Sequence, residues 1–227
     1  MKKSLTVFTL LAGAVGIYAQ GSIHFDDYVN NPGDVYTISI WSPQVATPTV
    51  QLSGDGPSDF PAGTQTGYTG TLLGGSGTGA VSPSDYANGN LWSIALYAAP
   101  GASQPLSALT AVPGAQATLS TAGYAGQWDT SGGVVVAVPG VAFGGTGTFA
   151  LAAWYNGGGT LTYAEAVAAA DPAAFSPLET ITLAPATSAP GSLNPIPSFS
   201  LVVTPEPSTI ALGVIGASAF LLRLRRK

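Results

Sequence analysis

Apolar and polar residues alternate with period two along much of this chain, the pattern of a β-strand with one buried face. In residues 35–41, Tyr36, Ile38 and Ile40 stand opposite Thr37, Ser39 and Trp41. Residues 91–98 set Trp92, Ile94 and Leu96 on one face, and residues 148–155 do the same with Phe149, Leu151 and Tyr155. Residues 179–183 and 198–203 repeat the pattern, and weaker versions occupy 47–52, 65–73, 106–112 and 116–119. The valine run 134–138 suits a strand covered on both sides. Links rich in Gly, Pro, Asn and Ser separate these segments, as turns require. Residues 163–170 alone carry a helical pattern, closed by Asp171-Pro172. Trp41, Trp92 and Trp154 fall in strands and are expected in the core. The expectation is an all-β fold, a jelly-roll-like β-sandwich with one short helix.

Composition changes the picture at the two ends. Charged residues make up 7% of the 227-residue chain, against roughly 25% in an ordinary soluble domain. All six basic residues are terminal: Lys2, Lys3, Arg223, Arg225, Arg226 and Lys227. Ten of the eleven carboxylates lie between Gly21 and Thr204. Nucleic-acid binding needs cations against phosphates, so this body is excluded from it. The clamp for phosphorylated substrates is missing for the same reason.

Lys2 and Lys3, then an apolar run over 5–17 and the small residue Ala19, describe a secretory signal peptide. Cleavage is expected between Ala19 and Gln20. The absence of cysteine removes any lipid attachment site and any disulfide. At the other end, Pro205-Glu206-Pro207 is a stiff segment that neither a helix nor a central strand accommodates. Residues 208–222 are uncharged and mostly apolar, about 23 Å as a helix. That is a short transmembrane helix beside a ~30 Å hydrocarbon core, which snorkelling arginines and a thinned bilayer accommodate. Arg223, Arg225, Arg226 and Lys227 then stay cytoplasmic and orient the body outward.

These three parts, in this order at the extreme C-terminus, resemble the PEP-CTERM sorting signal of exopolysaccharide-producing Gram-negative bacteria. The signature is also catalogued with the C-termini of ice-binding proteins. The resemblance implies recognition by an exosortase, a membrane-embedded protease, with processing near Pro205, Glu206 and Pro207. The chain is then exported, anchored in the inner membrane as a precursor, and released to the cell surface or extracellular matrix. The expected organisation is a signal peptide (1–19), a β-sandwich body (20–203) and a sorting signal (204–227).

Catalytic chemistry finds little support in the body. A Ser-His-Asp triad would need the sole histidine, His24, which stands five residues after the expected cut, and no Gly-x-Ser-x-Gly elbow is present. Gly75, Gly77 and Ala80 fit G-x-G-x-x-A but run into Val81-Ser82-Pro83 rather than a helix. The body is expected to be non-enzymatic and to need no cofactor. A weak calcium candidate groups Asp26, Asp27 and Asp34 with Asn30 and Asn31, and Asp55 with Asp59 is another; both are also ordinary turn chemistry. The alternative function is a carbohydrate-binding module for exopolysaccharide, built on Tyr124, Gln127, Trp128 and Asp129, where an aromatic platform stands beside polar groups. Threonine pairs at i and i+2, such as Thr146/Thr148 and Thr180/Thr182, present same-face hydroxyls, and they also mark any exposed strand.

Overall fold

The computed structural model describes residues 20–31, 34–56, 59, 66–74, 86, 88–120, 124–128 and 134–204. The expected signal peptide, the Pro205-Glu206-Pro207 motif, the apolar segment 208–222 and the basic tail lie outside these residues. Among the described residues no helix is long and apolar enough to cross a membrane.

Among the described residues the fold is all-β with one short α-helix. The strands are β1 (Gln20–Phe25), β2 (Tyr28–Asn31), β3 (Asp34–Thr37), β4 (Ile40–Trp41), β5 (Trp92–Pro100), β6 (Thr110–Thr118), β7 (Val134–Ala142) and β8 (Thr146–Tyr155). After helix α1 (Tyr163–Ala168) come β9 (Ala173–Phe175), β10 (Glu179–Thr182) and β11 (Phe199–Ser200). The main sheet runs β10-β8-β5-β6 and is antiparallel throughout, with β9 also pairing β8. β10 takes the first half of the outer edge of β8 and β9 the second half. β1 pairs β7, β2 pairs β3, and β4 pairs β11 in parallel.

Period two explains the packing. On one face of the main sheet, Ile94, Leu96, Phe149 and Leu151 join Ile23 and Phe25 of β1, Val136 and Val138 of β7, and Phe199 of β11 in one core. On the other face, Ala95, Ala152 and Trp154 are covered by Ala166 of α1, Ala173 of β9 and the rings of Tyr97, Tyr163 and Phe175. β8 is therefore buried on both faces along nearly its whole length. Small residues on its second face let the helix approach closely. Thr162 caps α1 with a complete capping box: its hydroxyl accepts the Glu165 N–H while the Glu165 carboxylate accepts the Thr162 N–H.

Several expectations change. The valine run is not covered on both sides: Val134 and Val135 are exposed while Val136 and Val138 are buried, because β7 packs one face only. The expected strand over 35–41 breaks at Ile38 and Ser39 into β3 and β4. Residues 47–52 form no strand, and the 65–73 candidate keeps only a bridge at Leu72. The candidates 106–112 and 116–119 merge into one strand, β6, after a short 3-10 turn over Leu106–Ala108.

One motif in the body occurs twice. Ala111-Val-Pro-Gly-Ala115 on β6 and Ala137-Val-Pro-Gly-Val141 on β7 behave alike. In each the valine and the fifth residue are buried and the Pro-Gly pair is exposed. Gly114 (φ 79°) and Gly140 (φ 75°) take the left-handed conformation. Pro followed by such a glycine is the signature of a type II turn. In both places the strand register slips across the motif. Such irregularities bend a strand and interrupt its exposed hydrogen-bonding edge.

Candidate functional site

A polar cluster sits where β4, residues 54–56, 59 and 66–71, and the stretch around β11 meet. Ser39 is fully buried in the break between β3 and β4. Its N–H donates to Ser198 Oγ (2.7 Å) and its hydroxyl donates to Asp59 Oδ1 (2.7 Å). The Gly56 N–H donates to Asp59 Oδ2 (2.5 Å). The Tyr68 hydroxyl reaches the Gly54 and Ser198 carbonyls at 2.8 and 2.9 Å, sharing its proton between them. The Tyr68 ring lies flat on Trp41, with centroids 4.7 Å apart and planes 1° from parallel.

Gly56 lies close under the cluster: a Cβ there would stand 3.1 Å from the Trp41 ring and 3.2 Å from Asp59 Oδ2, so either would have to give by a few tenths of an ångström. Burial, then the nearby carboxylates of Asp59 and Asp55, hold the Tyr68 phenol far above its ordinary pKa, so it stays a neutral donor. Around the cluster, Gln44 Oε1 accepts from the Thr69 N–H and hydroxyl, and the Thr71 N–H donates to Ser42 Oγ. The indole Nε1 of Trp41 and the amide Nε2 of Gln44 are buried without a partner among the described residues.

This arrangement fastens loops. A nucleophilic serine needs a base to take its proton, and the chain's one histidine, His24, stands on β1 paired with Val135. Ser39 spends its hydroxyl on Asp59 and is 1% exposed. The backbone continues the same role: Gly54, Ser200 and Val203 N–H groups donate to Ser198, Leu52 and Pro48 carbonyls at 2.9 Å each. Segment 48–54 thus runs antiparallel along 198–203.

The described residues expected to hold a sugar differ in exposure. Trp128 is buried, 1% exposed, and stacks on Phe25 with centroids 5.4 Å apart. Its loop is tied inward: the Ile40 N–H donates to the Gly126 carbonyl (2.8 Å) and the Gly126 N–H to the Leu73 carbonyl (2.5 Å). Trp128 therefore has no ring face free to stack on a sugar, a correction to the platform read from its polar, glycine-bounded neighbours. Tyr124 is 68% exposed, Gln127 is half-buried, and Asp129 lies outside the described residues.

Of the calcium candidates, Asp26 closes a turn by accepting the Tyr28 N–H (3.1 Å), and Asp27 is buried. Asp34 pairs with Asn31 across the β2–β3 hairpin. Among the described residues no group of three metal-ligating side chains forms. The Gly75–Ala80 stretch lies outside the described residues.

Two threonine pairs do meet. Thr148 pairs with Thr180 and Thr146 with Thr182, placing four hydroxyls on one face. They do not form a flat, open row. Thr148 donates to the Gly101 carbonyl and accepts the Gln104 N–H, so the 101–104 turn covers it; Thr146 and Thr182 bond each other at 3.2 Å.

The sequence offered Asp59 as a calcium candidate with Asp55, but its cluster with Ser39, Tyr68 and Ser198 was not legible there. Its members come from four distant stretches, and only Gly-Asp-Gly-Pro-Ser-Asp over 54–59 signalled a tight turn. Compared with family models, curated proteins and solved structures, the chain matches none.

Proposed function

We propose that this is an exported, non-enzymatic cell-surface or extracellular-matrix protein whose body is a jelly-roll-like β-sandwich. Its PEP-CTERM signal directs it through the inner membrane to an exosortase, and it works without a cofactor. The observation that carries the reading is the separation of chemistry along the chain. Every Lys and Arg lies at an end, outside a body holding ten carboxylates. The described strands, from β1 to β11, all fall between the two expected cuts, so processing at those cuts would leave each of them intact.

Cell fractionation of the wild type and of Pro205→Ala/Glu206→Ala/Pro207→Ala tests it. The reading expects wild-type protein at the surface or in the medium and the triple variant retained, full-length, in the inner membrane. Identical distributions would overturn it. The exopolysaccharide-binding alternative rests on the exposed ring of Tyr124 alone, and an anionic body of this kind would accept neutral sugars better than acidic ones.

A further inference from the structure

We infer that the tip of the 45–50 loop rests on the lipid surface while the precursor is anchored. The inference rests on the proposed C-terminal membrane anchor. The tip stands beside the chain's exit from the fold, because the Val203 N–H donates to the Pro48 carbonyl (2.9 Å). Past Val203 the fold has one more described residue, Thr204, which is exposed. The apolar segment begins at Ser208, so even a fully extended connection leaves the exit within about 17 Å of the membrane.

What the tip offers suits that place. Val45 is 79% exposed and Val50 48%, the former the most exposed large apolar side chain among the described residues. Residues 42–53 contain no charge, in a body that is otherwise anionic. A carboxylate-rich surface is repelled by anionic headgroups, whereas an uncharged tip with two valines can settle into the interface. The opposite end of the fold lies far off. The exit is level with Trp154 through the bridges of Ala173 to Val202 and to Trp154, while the 101–104 turn sits at Thr146. These are the two ends of β8, about 30 Å apart.

Because the chain has no cysteine, Val45→Cys and Ala102→Cys each give one labelling position for a polarity-sensitive dye. The full-length precursor, purified from the inner membrane of an exporting host, is reconstituted into phosphatidylcholine vesicles and challenged with aqueous iodide. The expected result is a blue-shifted dye at position 45 shielded several-fold from iodide, with the dye at 102 fully quenched. Equal quenching at both positions in protein that floats with the vesicles overturns this inference and leaves the anchor standing. Protein that fails to float overturns both. Shielding at 45 of the same size in detergent, without vesicles, overturns it in favour of contact between two copies.

Discussion

β8 and the 198–203 segment both run through the interior, and they are held there by opposite means. β8 has a nine-residue ladder to β5 and apolar neighbours on each face. The 198–203 segment has two residues in regular strand pairing, and is otherwise secured by Ser198 and Ser200 hydroxyls, backbone bonds to 39–54 and the buried ring of Phe199. A regular ladder satisfies peptide groups at no cost in side chains, so β8 can devote its residues to packing. Where loops replace strands, polar side chains must satisfy the buried peptide groups instead. A body with no Lys or Arg between Ser4 and Leu222 uses serine and threonine hydroxyls and the buried Asp59 carboxylate for that purpose.

The contrast predicts a ranked series of losses. Phe149→Ala on β8 empties space that neighbours on a rigid sheet cannot refill, and is expected to cost about 3–5 kcal/mol in urea denaturation. A loss under 1 kcal/mol would show that β8 is not the centre of the core. Asp59→Ala strands the Ser39 hydroxyl and the Gly56 N–H, and is expected to cost about 1–3 kcal/mol. Asp59→Asn keeps an acceptor toward Ser39 and should cost less. If the two variants are equal, the carboxylate is not what secures the loop.

Smaller effects lie at the helix and the surface. Thr162→Ala removes the N-cap of α1 at a cost of about 1 kcal/mol. The hydrogen bonds from the Thr162 backbone and hydroxyl hold the Glu165 carboxyl below its ordinary pKa. A group lowered in the folded state stabilises above its unfolded pKa and loses that contribution as pH falls through the folded one. The protection of helix α1 against amide exchange, relative to the intrinsic rate at each pH, should therefore fall in acid below the usual glutamate range, and Thr162→Ala should flatten that dependence. Tyr124→Ala should change stability by less than about 0.5 kcal/mol, whatever it does to sugar binding in a glycan array.

The same contrast decides what could be read beforehand. Period two exposed β5, β8 and β10 because a ladder repeats every second residue. The helical pattern over 163–170 and its Asp171-Pro172 stop are local signals, so the helix was legible too. The cluster of Ser39, Asp59 and Ser198 was not, since the two serines read as polar strand positions and Asp59 as a calcium candidate with Asp55 until the fold brings them together. Trp128 misled for the reverse reason: its polar neighbours suggest solvent, but the backbone bonds of Gly126 draw the ring inward. The paired Val-Pro-Gly motifs gained their meaning from the fold, where Gly114 and Gly140 both take the left-handed conformation at a register slip. β1 went unread because it abuts the signal peptide, where apolar residues are assigned to export.

The most direct measurement is the intact mass of the protein recovered from the surface or medium of its native cells. The account predicts a species that begins at Gln20 and lacks Arg223, Arg225, Arg226 and Lys227, keeping every strand from β1 to β11. A surface species that still carries the basic tail, or one cut upstream of Val203 within the folded body, would contradict it.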